Sequence, residues 1–208
     1  MAPTVPPPRA APGESTGGES VTPSAVAAAL AQCRWYERVL GWPAEPGPPV
    51  RLPTGGPYDV LDLPAAAGAA VLRRCPVTGP VALAGARMRF LVAPGSAEEL
   101  PGLLDWLEWG GVALDLSALG AGGRMAAPPP PGWPPEGARA AEDPCAGPGG
   151  SRAATLWLRP PEPGCETRLP SLVAGRTAGP DLVRLVGTAA TECHRARLAG
   201  LRRQPLFS

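Results

Sequence analysis

The chain has 208 residues and a formal net charge of +1 at pH 7, which is enough sequence for one domain with tails. Since 44% of its residues are hydrophobic and only 18% are charged, a highly charged disordered polymer is excluded. The near-neutral charge gives no global field that would attract nucleic acid or an anionic membrane, and no window approaches the roughly 18 uninterrupted apolar residues of a membrane span.

Proline-rich segments precede and interrupt the predicted domain. The chain contains 31 prolines and 27 glycines, and it lacks Lys, Ile and Asn. Because there is no Lys, all 19 of its cationic residues are arginine. The codons of the three missing residues are AT-rich, which indicates a GC-rich genome and makes part of the proline and glycine excess mutational. We expect a disordered leader over 1–22 without a signal peptide, and a second proline-rich spacer over 128–150.

Hydrophobic periodicity and chain breakers predict alternating helices and strands. In chain order these are a helix over 25–40, strands at 50–52 and 58–63, a helix at 65–74, a hairpin of 81–83 and 88–92, a helix from 96 to 109, strands at 112–116, 124–127 and 155–158, and a helix at 181–201. We predict Ser96 as a helix cap and Trp106 and Trp109 as core residues.

This order of elements predicts an α+β fold, a small mixed or antiparallel sheet flanked by helices. We divide the chain into the leader 1–22, an α+β domain over 23–161 that contains the spacer, and a linker with a basic C-terminal helix over 162–208. That helix carries arginines from Arg184 to Arg203 against one acid, Glu192. They either contact phosphates or complement the helix dipole.

Cysteine and histidine usage limits the chemistry. Five cysteines are an odd number, and none forms a CxxC pair, which is typical of free thiols in a reducing cytoplasm. The single histidine, His194, argues against a zinc site and against acid–base catalysis by histidine. Its neighbour Cys193 is a sequential and not a spatial partner, so a Cys–His nucleophile is not expected.

Four patches carry a family resemblance. They are Trp35-Tyr36 with Gly41-Trp42-Pro43, Thr54-Gly55 with Tyr58–Leu63, Leu114–Leu116 with Gly120–Pro129, and Trp157–Pro161. In this order they resemble the N-terminal primase–polymerase domain of bifunctional DNA primase/polymerases. They are more similar still to short actinobacterial relatives of that domain. The resemblance covers about half of the chain and implies a primase–polymerase-like fold and a part in DNA replication.

The resemblance also implies which residues carry the chemistry. Nucleotidyl transfer by this family needs carboxylates that hold two Mg²⁺ or Mn²⁺ ions. Asp62 matches the first acid of the family's i, i+2 pair, but Pro64 stands at the second position. Asp115 matches the family's third acid. Arg87 falls roughly at the motif position where the family has a histidine that contacts phosphate, and Arg89 follows two residues later. The resemblance therefore gives Asp62 and Asp115 as metal ligands and Arg87 and Arg89 as phosphate contacts.

Three functions follow from these residues. Because the acid pair is broken, we expect a catalytically degenerate accessory protein of the cytoplasm that associates with DNA or a nucleotide. An alternative is a non-enzymatic interaction module whose proline-rich segments 1–23 and 128–148 bind protein partners. A second alternative is a residual nucleotidyltransferase in which Asp62 and Asp115 hold one Mg²⁺ or Mn²⁺.

Overall fold

The computed structural model of the chain describes residues 23–133, 155–172 and 181–201. The leader, most of the spacer, Cys145, Arg202 and Arg203 lie outside these residues. Within them, no helix is long and apolar enough to cross a membrane.

The elements follow the predicted order. The helices are α1 (Pro23–Trp35, continued by a π-helical turn at Tyr36–Leu40), α2 (Ala65–Arg74), α3 (Ser96–Trp106) and α4 (Leu182–Leu201), with a 3₁₀ turn at Cys165–Arg168. The strands are β1 (Arg51–Pro53), β2 (Asp59–Pro64), β3 (Val81–Ala84), β4 (Arg87–Val92), β5 (Ser117–Leu119), β6 (Arg124–Ala126) and β7 (Thr155–Arg159).

The strands form two antiparallel sheets, which confirms the predicted α+β class. The larger sheet has the order β5-β2-β4-β3-β7, and β1 pairs with β6 in a separate two-stranded sheet. The segment from β2 to β5 is a βαββαβ unit in which β4 lies between β2 and β3, the arrangement of the ferredoxin-like split βαβ motif. β7 extends this unit by one strand at the β3 edge.

One face of the larger sheet is covered by helices. Leu61 and Leu63 of β2 and Met88 and Phe90 of β4 form one core cluster on this face. The helices add buried residues to the same cluster: Val71 from α2, Leu100 and Leu103 from α3, and Leu185, Val186 and Ala189 from α4. The C-terminal helix is therefore part of the same hydrophobic core as the sheet.

The opposite face is covered in part by an aromatic cluster. Tyr36, Trp42 and Tyr58 are fully buried there, together with Leu91 of β4. The rings of Tyr36 and Trp42 stack with centroids 6.3 Å apart, and those of Trp42 and Tyr58 are 4.6 Å apart. The tryptophan of the Gly-Trp-Pro patch is therefore a core residue.

The resemblance patches contact one another beside this cluster. The Tyr36 hydroxyl donates to the Pro128 carbonyl at 2.6 Å and accepts from Trp157 Nε1 at 3.0 Å. The Thr54 hydroxyl donates to the Gly120 carbonyl at 2.6 Å. Pro128 and Pro130 are buried, so the first part of the predicted polyproline segment 128–148 packs in the core.

Two details of the predicted elements are wrong. Residues 112–116 lie outside the regular strands, because α4 and β4 hold this segment through side-chain contacts and β5 begins only at Ser117. Ser96 is the first residue of α3 and not its cap: Gly95, with φ +88°, precedes it and provides no side chain.

The prediction of Trp106 and Trp109 as core residues is also wrong. Trp106 is 71% exposed because the buried stripe of α3 runs through Leu100 and Leu103 and continues at Leu107. Trp109 lies beyond the end of α3 and is only half-buried.

Gly55 tests the contact between the second and third patches. Its φ is +88°, and a Cβ on it would lie 2.3 Å from the Cα of Ala121. Gly55→Ala should therefore lower the free energy of unfolding by about 2–4 kcal/mol, through backbone strain and overpacking.

Gly56→Ala is the matched control, since nothing lies within 4 Å of its Cβ position. It should change stability by no more than about 0.5 kcal/mol. Urea unfolding measures both variants, and equal losses at the two positions would contradict the packing described here.

Candidate functional site

The pairing of β2 with β4 brings the predicted site residues together. Asp62 lies opposite Arg89, and Pro64 lies opposite Arg87. Because directly opposed residues in an antiparallel pair share one face, these four side chains project on the same side of the sheet as the aromatic cluster. Asp59 lies three positions before Asp62 and projects on the other face.

Arg87 joins the two predicted acids. Its Nε lies 2.5 Å from Asp62 Oδ1, and its Nη1 lies 2.6 Å from Asp115 Oδ1. Arg89 Nε lies 3.0 Å from Asp62 Oδ2, so both oxygens of Asp62 accept from arginine. We call these four residues, Asp62, Arg87, Arg89 and Asp115, the charge cluster.

Asp115 reaches the cluster from outside the strands. It lies two residues before Ser117, which pairs with Asp62 across β2 and β5. The C-terminal helix fixes this segment: Arg197 Nη1 donates to the Ala113 carbonyl at 2.5 Å, and Cys193 Sγ lies 3.5 Å from the Asp115 carbonyl. The Asp115 side chain is 63% exposed, whereas that of Asp62 is 12% exposed.

Glu192 of the basic helix forms ion pairs within the domain. Arg195 Nη1 lies 2.7 Å from Glu192 Oε1, and Arg74 of α2 lies 3.1 Å from the same oxygen. Arg195 and Arg197 therefore serve packing within the domain, which favours neither of the two roles predicted for the arginines of this helix.

The cluster is neutral as a whole, with two guanidinium and two carboxylate groups. Burial acts to lower the pKa of Arg87, but its hydrogen bonds to Asp115 and Asp62 outweigh burial, so the pKa is raised above its ordinary value. Nη1 of Arg89 is buried and has no hydrogen-bond partner in the part of the chain that the structure describes. Such a group is uncommon in proteins.

The residues of the cluster do not fit a two-metal centre. Two guanidinium groups already contact both oxygens of Asp62 and one oxygen of Asp115, so a metal ion bound there would lie against positive charge. Pro64 occupies the place where a second acid on the strand would stand. Among the described residues no group of three His, Cys, Asp or Glu side chains is arranged to hold a metal ion.

The Cys193–His194 pair does not form a nucleophilic site. Burial raises the pKa of the Cys193 thiol to about 12, so the reactive thiolate is scarce at neutral pH. The His194 ring lies 5.7 Å from the Trp109 ring, and its Nδ1 is buried without a partner among the residues that the structure describes. The four cysteines within the described residues are free and buried, which confirms the predicted thiols at these positions: Cys33, Cys75, Cys165 and Cys193.

Asp59 caps helix α3, a role that the sequence did not predict. This residue is fully buried, and its Oδ2 accepts from the backbone N–H of Ala97 in the first turn of α3 at 2.9 Å. It supplies the cap that Gly95 lacks, from a strand 38 residues away in sequence. Only a contact across the fold defines this role, and no local capping pattern signals it.

Asp59 makes stability depend on pH. Burial raises its pKa, the Ala97 N–H opposes this rise, and the charge of Glu98 adds to it. Because the folded state binds the proton more tightly, wild-type stability falls as pH rises from the ordinary Asp range through the raised pKa. Asp59→Asn removes this titration, so its stability relative to wild type should rise over that interval. Urea unfolding at several pH values between 4 and 7 measures this, and parallel curves for the two proteins would contradict it.

The two acids of the charge cluster should differ in their effect on stability. Asp62→Asn leaves two partly buried arginines without their shared carboxylate and should lower the free energy of unfolding by about 2–3 kcal/mol. Asp115→Asn changes an exposed carboxylate and should cost less than about 1 kcal/mol. Thermal or urea unfolding compares them, and a larger loss for Asp115→Asn would contradict this assignment.

Comparison with protein families, curated proteins and solved structures finds no match for this chain. The resemblance to primase–polymerase domains therefore depends on the four sequence patches.

Proposed function

We propose that this chain is a non-catalytic, primase–polymerase-like domain that binds a phosphate-bearing ligand through Arg87 and Arg89. The observation that carries the proposal is the buried, unpartnered Nη1 of Arg89, next to a second arginine on the same strand. The ligand is a nucleotide or a single-stranded nucleic acid.

The hydrogen-bonding capacity of the two arginines supports this ligand class. A guanidinium has five N–H donors, of which Arg87 uses one on Asp62 and one on Asp115. Arg89 uses Nε on Asp62, while its Nη1 lacks a partner. Phosphate oxygens match the planar donor set of arginine, and a buried donor without a partner costs about 1–3 kcal/mol, which a bound oxygen would recover.

The carboxylates hold these arginines in a fixed geometry, but they also cancel the positive charge of the guanidinium groups. Asp62 holds both side chains and Asp115 holds Arg87, so little side-chain entropy is lost when a ligand arrives. Because the cluster is neutral, its attraction for phosphate is short-range and depends on hydrogen bonds. We expect modest affinity and a weak dependence on salt.

The central strands β2 and β4 present no aromatic side chain for stacked bases beside the charge cluster. Trp42 and Tyr58 are buried in the aromatic cluster, and Trp157 of β7, which lies in the same row of the sheet as Arg89 across Ala82, packs against that cluster and donates to Tyr36. Central strand β4 presents Arg87, Arg89 and Leu91 on this face and β2 presents Val60 and Asp62, none of which is aromatic. We therefore propose that the domain recognises the phosphate groups of the ligand and does not stack its bases as RNA-binding sheets do.

Catalysis is left out of the proposal for a chemical reason. Two-metal transfer needs carboxylates that share a strand face at i and i+2, and here Asp62 shares its face with Pro64. Asp62 is also the acceptor for two arginines.

Binding measurements on the full chain test the ligand class. We expect Arg89→Ala to weaken binding of a labelled single-stranded DNA or of a deoxynucleoside triphosphate about tenfold or more, equivalent to at least ~1.4 kcal/mol. Arg124→Ala is the matched control, because Arg124 also pairs with one acid, Glu45, but lies away from the cluster in β6. Fluorescence anisotropy for DNA and calorimetry for the nucleotide separate the two ligands.

A salt series gives the second criterion. With at most two phosphate contacts, the logarithm of the DNA affinity should fall with the logarithm of salt concentration with a slope of about −1.4. Absence of binding at low salt for both ligands, or equal losses in Arg89→Ala and Arg124→Ala, would refute the proposal. A primer-extension assay with Mn²⁺ tests the non-catalytic part: product formed by wild type and lost in Asp62→Ala would overturn it.

A further inference from the structure

We propose that Asp115 is an internal competitor of the phosphate ligand, an exchangeable anion that occupies the solvent-facing side of Arg87 until phosphate displaces it. Asp62, in contrast, is a permanent partner of Arg87 that stays in place when the ligand binds. The inference rests on the proposed function, because it concerns how access to Arg87 is regulated. It gives the two acids different roles at one guanidinium.

The two carboxylates contact Arg87 in different environments. Nε of Arg87 lies 2.5 Å from Asp62 Oδ1 in a partly buried contact, and Nη1 lies 2.6 Å from Asp115 Oδ1 in an exposed one. The Asp62 side chain is buried, whereas most of the Asp115 side chain is in contact with solvent. A ligand that arrives from solvent therefore reaches Arg87 on the side where Asp115 lies.

The cost of releasing each acid determines which of them gives way. Removing one partner from a buried ion pair is strongly destabilising, because the other charge stays behind without compensation. This applies to Asp62, which accepts from both Arg87 and Arg89. An exposed ion pair contributes little to stability, and water hydrates its carboxylate after release. Asp115 has a contact of this second type, with Arg87 as its ion-pair partner among the described residues.

The local chain allows the Asp115 side chain to leave without disturbing the sheet. Asp115 precedes β5, which begins at Ser117, so it takes no part in strand pairing. Helix α4 holds this segment through two backbone carbonyls: Arg197 donates to that of Ala113, and Cys193 Sγ lies near that of Asp115. The carboxylate is therefore able to turn towards solvent while the main chain keeps its position.

The charges explain why Asp115 opposes the ligand. A phosphate and the Asp115 carboxylate that share one guanidinium repel each other at short range. Once Asp115 has turned away, two guanidinium groups face one carboxylate, a local net charge of +1. Asp62 alone then keeps Arg87 oriented, and the donors that Asp115 used are open to phosphate oxygens. In the wild-type chain the Asp115 charge therefore limits the affinity for phosphate.

The affinity of the full chain for labelled single-stranded DNA, measured by fluorescence anisotropy, tests this inference. Asp115→Asn keeps the shape of the side chain and removes its charge, so we expect binding at least about fivefold tighter than that of wild type. Glu45→Gln is the matched control, because it removes the carboxylate of the exposed Arg124–Glu45 pair and changes the net charge equally. It should give no such gain. Arg87→Gln added to Asp115→Asn should cancel the gain.

The results separate this inference from the proposed function. If wild type binds, Arg89→Ala weakens binding and Asp115→Asn does not strengthen it, the role of Asp115 is refuted and the proposed function stands. An equal gain in Glu45→Gln would assign the effect to net charge and refute the inference. A gain that persists after Arg87 is replaced would do the same. Absence of binding by both wild type and Asp115→Asn would refute both proposals. Circular dichroism establishes that each variant is folded.

Discussion

The antiparallel pairing of β2 with β4 is the constraint on which the rest of the structure depends. Its register places Leu61 and Leu63 against the helices with Phe90, while Asp62 meets Arg89 on the opposite face. A slip of one residue would exchange the two faces, put charged side chains under the helices and expose the leucines. The hydrophobic core and the charge cluster are therefore two consequences of one alignment.

Burial of the charge cluster is tolerated because each carboxylate accepts from at least one guanidinium. Removing ions from water costs several kcal/mol each, and only close contacts with good geometry recover this cost. Asp62, the least exposed member, is the one that accepts from both arginines, whereas exposed Asp115 has a single partner. For the two acids the number of contacts follows the degree of burial, and Arg89 Nη1 is the one buried polar atom of the cluster without a partner among the described residues.

Local signals explain which parts of this structure the sequence predicts. Helix α2 follows Pro64 and is rich in alanine, and β3 and β4 flank a turn at Gly85, so short-range patterns define both. Tertiary contacts decide the rest. The convergence of Asp115 on Arg87 depends on α4, which follows Asp115 by more than 60 residues, and the cap at Asp59 depends on strand placement. The site residues were therefore predictable one by one, but the guanidinium between the acids was not.

A guanidinium between two acids changes what such a site is able to do. Like a metal ion, it neutralises carboxylates, holds them in position and attracts phosphate oxygens, to which its N–H groups donate. Unlike a metal ion, it has no empty orbital with which to lower the pKa of a bound hydroxyl or to polarise a phosphoryl group as a Lewis acid. Arg87 therefore holds the two acids in position, but it supplies no Lewis acid that would activate a nucleophile.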